Sequence, residues 1–372
     1  MSISAPHDPE LAKRNLRAVR RPLRTARFST VFRPAPLLTV LALTVLLLAL
    51  FCLDIAVGET TLPLGRVLDV LAGGGTRSQR FIVLDSRLPR ALTAVVVGAA
   101  LGLAGALTQS ILHNPLASPD ILGITSGAGL GAVAVVVGSG GAATGLLATL
   151  GTPLAALAGG LLTAVAIYLL AWGRSASGER GASGLRLVLI GIGVNAFLLS
   201  AISFMLTRAD LEQATRAQLW LTGSVSNTDT GKLVPVAVVT AVLLVVAAGS
   251  ARTLAVLRMD AETTRGLGVR IQAQQALLIG LAVLAAAMAT AIAGPIGFVA
   301  LAAPQLARGL LRTPGEPVLA SALAGAVLVA GSDIVARTLV PVDLPVGIVT
   351  AALGGPFLLL LLVRMNRKAT VS

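Results

Sequence analysis

The sequence predicts an all-α polytopic membrane protein, a single bundle of about ten transmembrane helices. Three observations carry this. Of the 372 residues, 55% are hydrophobic and only 12% are charged. The apolar residues gather into runs long enough to cross the ~30 Å hydrocarbon core, which takes about 20 helical residues. The charges are sorted out of those runs into loops and tails. A soluble chain would alternate polar and apolar positions more closely.

Residues 1–35 read as a basic tail. Lys13, Arg14, Arg17, Arg20, Arg21, Arg24, Arg27 and Arg33 precede the first apolar run, among Pro6, Pro9, Pro22 and Pro34. This is the positive-inside pattern, so the tail is expected to be cytoplasmic, and disordered or resting on anionic lipid. The formal charge of +13 is thus a topology signal. Nucleic-acid binding is not expected, because no aromatic interleaving or reading motif accompanies the charge. The long tail and long first run do not have the form of a cleaved leader. Cys52, the only cysteine, lies in that run and reads as a small core residue. With His7 and His113 far apart, no disulfide and no metal site is expected.

Taken in order, residues 36–366 form the membrane domain. The first helix covers about Pro36–Val57. Residues 58–86 read as an outer loop with a short amphipathic piece at Leu64–Leu71 and a Gly73-Gly74-Gly75 hinge. The second helix runs inward from about Arg90, and the third outward over Pro119–Val137. The fourth is Thr152–Trp172, with Tyr168 and Trp172 at an interfacial position. A short basic loop leads to the fifth, Leu187–Leu206. Arg208–Asn227 is too polar to span and reads as a helix on the outer surface. Then come Leu233–Gly249, a charged cytoplasmic segment 250–273, Gln274–Ala293, a break at Gly294-Pro295, and a shorter helix to Arg308. Val318–Arg337 and Pro345–Val363 complete the set. Both termini are expected inside. The first outer loop holds Arg66, Arg77, Arg80, Arg87 and Arg90, but the heavier bias of the tail and inner loops sets the orientation. Abundant Gly and Ala in the spans let backbones approach where lipid supplies no hydrophobic force.

The stretch Arg87–Gly131 is the most informative. Arg87-Leu88-Pro89-Arg90 opens an apolar run to Leu112, His113-Asn114-Pro115-Leu116-Ala117-Ser118-Pro119 turns the chain, and a Gly- and Ala-rich run follows. Pro89 suits a first helical turn, and the two later prolines force the reversal. The order and spacing of these residues, with Gly98-Ala99-Ala100-Leu101, Gly105-Ala106, Gln109 and Leu122-Gly123, resemble the type II ABC importer permeases of the iron–siderophore, haem and vitamin B12 family. The resemblance continues through Trp220-Leu221-x-Gly223-Ser224 and Gly294-Pro295-Ile296-Gly297-Phe298-Val299 to Asp333-x-x-Ala336-Arg337 and Gly354-x-Pro356-Phe357. Gln305 stands where the family usually has His, and Asp343 where it usually has Glu.

That resemblance implies a substrate, partners and sites. The expected function is uptake of iron(III)–siderophore, with haem or vitamin B12 as alternatives, across the bacterial cytoplasmic membrane. The expected partners are a second permease chain, identical or paralogous, two ABC ATPase subunits and an extracytoplasmic substrate-binding protein, within membrane lipid. No catalytic group and no cofactor is expected in this chain; ATP and Mg would bind the partner ATPase. Gly231-Lys232 is followed by Leu233 and lacks the first glycine of a phosphate loop. The cytoplasmic stretch carrying Asp260, Glu262, Thr263, Arg265, Leu267 and Gly268 resembles the family's ATPase-coupling segment. On residue chemistry alone it is a short helix, capped by Asp260 and ended by Gly266 or Gly268, with Leu267 as an apolar anchor. Arg87, Arg90 and Arg337 match the family's binding-protein docking positions at the outer mouth, and outer arginines run against the positive-inside bias. Helix-end snorkelling is the other reading of them. Asp333, four residues before Arg337, reads as its neutralising partner. Gly191, Gly193 and Asn195 are candidates for the translocation path, Asn195 facing either a helix or water. Ser183 and Gly184 are candidates for the cytoplasmic gate. An ion-driven secondary transporter would need a relay of ionisable groups within the spans, and Asp54 and Asp333 sit only near span ends.

Overall fold

In hydrocarbon every backbone N–H and C=O must be satisfied within the chain, and each apolar run therefore folds as a helix. The computed structural model describes residues 23–24, 29–30, 34–58, 61–138, 146–174, 180–182, 184–226, 228, 230–259, 261–313, 315–339 and 343–369. Before the membrane domain, β1 (Leu23–Arg24) pairs antiparallel with β2 (Ser29–Thr30); the rest of residues 1–33, on which the disordered-tail reading falls, lies outside the described residues.

The first helix is α1 (Pro34–Ala56). The expected amphipathic piece is α2 (Leu64–Leu71), which buries Val67 and Val70. Then α3 (Arg77–Arg80), a π-helical turn (Phe81–Arg87) and α4 (Leu88–Leu112) form one rod. After the reversal comes α5 (Ile124–Gly138), then α6 (Leu146–Ala171). The basic loop pairs β3 (Trp172–Arg174) with β4 (Arg180–Ala182). Next are α7 (Gly184–Arg208), α8 (Leu211–Leu221) and α9 (Thr230–Gly249). Two short helices follow, α10 (Ala251–Leu257) and α11 (Ala261–Gly266). The chain ends with α12 (Ile271–Ala293), α13 (Val299–Leu311), α14 (Val318–Thr338) and α15 (Val346–Ala369).

Among the described residues, eight helices are long and apolar enough to cross a membrane, and α5 and α13 are shorter apolar helices. Together they are the ten expected runs. Three local readings change. The second helix starts at Arg77, not near Arg90. Its polar opening looks like loop, but Thr76 and Gln79 close a reciprocal capping box that starts a helix there. The third helix starts after Pro119: Pro119–Leu122 is a 3-10 turn, and Gly123 at φ 63° ends it before α5. Cys52 is exposed on α1, not a core residue.

The reversal is built as its residues require. His113 takes the left-handed conformation (φ 50°) at the end of α4. The Asn114 side chain accepts from the Leu116 N–H at 3.0 Å, closing the turn before Pro119.

At the centre stands α4, with most of its residues buried, flanked by α12, α13 and α14. The contact is backbone to backbone. A Cβ on Gly98 would lie 2.4 Å from the Gly325 carbonyl oxygen, and one on Gly105 only 1.7 Å from that of Ala300. Only glycine permits such an approach, which is how packing replaces the missing hydrophobic force between membrane helices. By contrast α1, α7, α9 and α15 turn Leu, Val and Phe side chains outward.

Candidate docking, coupling and translocation sites

The end of α1, the start of α4 and the end of α14 meet at one end of the bundle, where the chain brings together Asp54, Arg87, Arg90, Asp333, Arg337 and Asp343. The Arg87 head donates to the carbonyls of Ile55 (2.9 Å) and Ala56 (3.0 Å), closing the last turn of α1. Arg90 places a fork on Asp333 (3.0 Å) and a second on Asp343 (3.0 Å). Arg337 pairs with Asp54, reaches Asp333 at 3.3 Å, and donates to the carbonyls of Asp54 (2.9 Å) and Val57 (3.0 Å). The planar guanidinium suits such bidentate contacts as an ammonium would not. Asp54 and Asp333 are fully buried, while Asp343 is 55% exposed in its side chain.

The three sequence-predicted arginines therefore do share one end. Their heads, however, turn into the protein, onto carboxylates and helix-end carbonyls. The expected Asp333–Arg337 pair is present. Its extension to Asp54 was not foreseen, because nothing in sequence links residues so far apart.

At the opposite end, α10 and α11 form a compact corner. Thr264 is buried and its hydroxyl donates to the Val256 carbonyl at 3.0 Å, tying α11 back onto α10. Gly268, at φ 77°, ends α11: its N–H reaches the Arg265 carbonyl (2.8 Å) and the Val269 N–H that of Thr264 (3.3 Å). This is the paired-bond glycine stop, so Gly268 and not Gly266 terminates the helix. Glu262, Thr263, Arg265, Leu267 and Met259 are exposed, Leu267 at 59%. Asp260 lies outside the described residues. The corner is braced from two sides. His113, at the reversal after α4, holds the Leu257 carbonyl at 3.1 Å. Glu316, before α14, binds Arg258 at 3.5 Å and Arg308 at 3.1 Å.

On α7, Gly191 is buried and Gly193 faces open space. The Asn195 side chain accepts from the Ser126 hydroxyl of α5, so it makes the interhelical bond. Ser183 lies outside the described residues, and Gly184 is the first residue of α7. A second glycine junction joins three distant motifs. The Ser224 N–H donates to the Ala293 carbonyl (2.7 Å) and the Gly347 N–H to that of Gly223 (3.0 Å), so the end of α8 sits on the break between α12 and α13 and on the start of α15. Within the core, Gln109 of α4 donates to the Leu301 carbonyl of α13 (3.1 Å) and accepts from Gln305.

The profile of the FecCD transport family matches residues 46–364, most of the chain. The chain belongs to the FecCD transport family. It is 39% identical over 312 residues to the ferric enterobactin transport system permease protein FepG of Escherichia coli (strain K12), covering 84% of this chain and 91% of that one. It is 40% identical over 330 residues to the achromobactin transport system permease protein CbrC of Dickeya dadantii (strain 3937), covering 86% and 90%. It is 34% identical to the hemin transport system permease protein HmuU of Yersinia pestis over 77% of this chain and 84% of that one. A solved structure assigned to a metal-chelate type ABC transporter, in an inward-facing conformation, matches at TM-score 0.74 and 28% identity, covering 88% of this chain and 99% of that one. This FecCD-family chain is thus a multi-pass membrane permease of the type II ABC importer class.

For this FecCD permease, sequence reasoning missed three residues that hold the candidate sites. Asp54 and Glu316 carry charge, but their partners lie on other elements. Thr264 departs from the family's usual coupling segment, and its anchoring role shows only when α10 folds back.

Proposed function

We propose that this chain is the membrane subunit of an ATP-driven importer of iron(III)–siderophore chelates. The observation that carries it is the kinship over most of its length with permeases whose names specify ferric enterobactin and achromobactin. In this reading two permease chains, identical or paralogous, pair across the exposed apolar face of α7, which presents Leu189, Phe197 and Phe204. The path runs beside Gly191, Gly193 and Asn195, with the gate near Ser183 and Gly184. Two ATPase subunits bind ATP and Mg and seat against Glu262, Thr263, Arg265, Leu267 and Gly268, with Asp260 at the head of that segment. Their closure rocks the corner and switches access. This chain supplies no catalytic group.

A substrate-binding protein docks at the Arg90 end. Arg87 and Arg337 shape that mouth from within. Arg90 is the cation an acidic partner reaches, by competing with half-exposed Asp343. The reading is tested by uptake of a panel of labelled ferric chelates, with haem as competitor, into vesicles holding the complex and its binding protein. Saturable uptake of a ferric siderophore that weakens with salt is expected, because exposed charge contacts are screened. Transport of haem alone would overturn the substrate assignment, and salt-independent affinity would overturn docking by charge.

Orientation belongs to the same proposal: the Arg90 end outside, the α10–α11 corner and both termini in the cytoplasm. In a Cys52→Ala background, Gly65→Cys should react with an impermeant thiol reagent from outside and Glu262→Cys should not. Gly65 lies on exposed α2 with nothing within 4 Å of a new Cβ. The opposite labelling would invert the topology.

A further inference from the structure

A groove of about 420 Å³ opens where α1 begins, α9 ends, α10 lies across, and α13 turns into α14. That volume falls in the ~300–1,000 Å³ range of small-molecule sites. Its walls are apolar, Val40, Ala251, Leu254, Leu311 and Leu319 among them. The rim differs. Arg258 lines it and shares the single carboxylate of Glu316 with Arg308, leaving a net positive charge. Arg258 is the one arginine that lines the groove, so the positive charge of its rim is centred there. The Arg258 Nε–H is buried and has no acceptor among the described residues.

The groove lies at the level where the spans start and stop, which is where hydrocarbon gives way to headgroups. An apolar trough beneath a cationic rim at that level matches one ligand chemistry. We propose that this groove binds an anionic phospholipid, its acyl chain along Val40, Leu254 and Leu319 and its phosphate at Arg258. A zwitterionic lipid brings the same tail without net charge; inorganic phosphate brings charge without a tail. Because α10 forms one wall and leads directly into α11, the lipid braces the corner on which the ATPase is proposed to seat. The site itself does not depend on that seating.

The test uses the purified full-length chain in detergent, with native mass spectrometry counting retained lipid. Dioleoylphosphatidylglycerol should be retained about tenfold more tightly than dioleoylphosphatidylcholine, the scale of one or two basic contacts at a membrane surface. It should also raise the unfolding temperature, while inorganic phosphate should not. Ala251→Trp, which fills the trough at an exposed helix position, should abolish retention of both lipids. Arg258→Gln should remove the preference and leave tail binding. Equal retention of the two lipids by the wild-type chain would overturn the proposal, as would an equal thermal effect of inorganic phosphate. If phosphatidylglycerol binds only after residues 1–33 are deleted, the chain's own tail occupies the groove and the proposal is wrong.

Discussion

Arg337→Ala is expected to destabilise the folded permease by about 3–5 kcal/mol, the cost of breaking a buried ion pair from one side. The reason is what remains. Asp54 and Asp333 are fully buried, and both face the Arg337 head. Asp333 keeps Arg90, but Asp54 would keep a charge with no cation in contact among the described residues. Its second oxygen already lacks a hydrogen-bond partner among the described residues. The unfolding midpoint in detergent should fall sharply, and membrane yield with it. Pairing Arg337→Met with Asp54→Asn removes both charges and keeps most of the volume; it should recover the larger part of the loss. If Arg337→Ala unfolded at the wild-type midpoint, the Asp54–Arg337 pair would contribute nothing to stability. Charge reversal at Arg87 or Arg337 would likewise read folding before docking, since new acids would face the carbonyls of α1 or Asp54 itself.

Glu262→Ala combined with Leu267→Asp is expected to release the partner ATPase from the membrane fraction while the permease still inserts. Both side chains point outward from a corner whose own fold rests on other groups: the Thr264 hydroxyl, the Gly268 stop, and the His113 and Glu316 braces. The double change therefore removes the Glu262 carboxylate and puts a charge in place of the apolar anchor, without touching the scaffold. Exposed charge contacts alone contribute only about 0–1 kcal/mol, so the apolar contact that Leu267 offers a partner should dominate. ATPase copurification should drop to background and uptake with it. Undiminished copurification would remove this corner from the coupling role.

The spans and the hairpin were legible because hydrocarbon imposes so simple a rule: long apolar runs, punctuated by Pro, Gly and charge. Leu64–Leu71 was legible for a related reason, its apolar positions recurring at helical spacing. The beginning of the second helix was not. Arg77, Arg80, Asp85 and Arg87 look like loop, and only the Thr76–Gln79 box and a π-turn carry the helix through them. The candidate sites divide along the same line. Gly268 ends its helix as its chemistry suggests, whereas the inward contacts of the arginine heads have no local signal. Which way a guanidinium turns depends on acceptors contributed from elsewhere in the fold. Arg337 meets Asp54 across more than two hundred and fifty residues of chain, and no local pattern encodes that.

The position of α4 has a consequence for how such a chain can change over time. Its 25 residues make a rod of about 37 Å at ~1.5 Å per residue. Arg90 holds α14 and its following loop at one end, and His113 holds the α10 corner at the other. Between them Gly98 and Gly105 fit only where a neighbouring backbone passes. Adding or deleting one residue would turn everything beyond it by ~100° and shift it by ~1.5 Å. The glycines would then point at side chains, and His113 would miss its carbonyl. Length can drift where a chain runs exposed between elements. In α4 it cannot, and this helix serves as the ruler against which both faces of the protein are set.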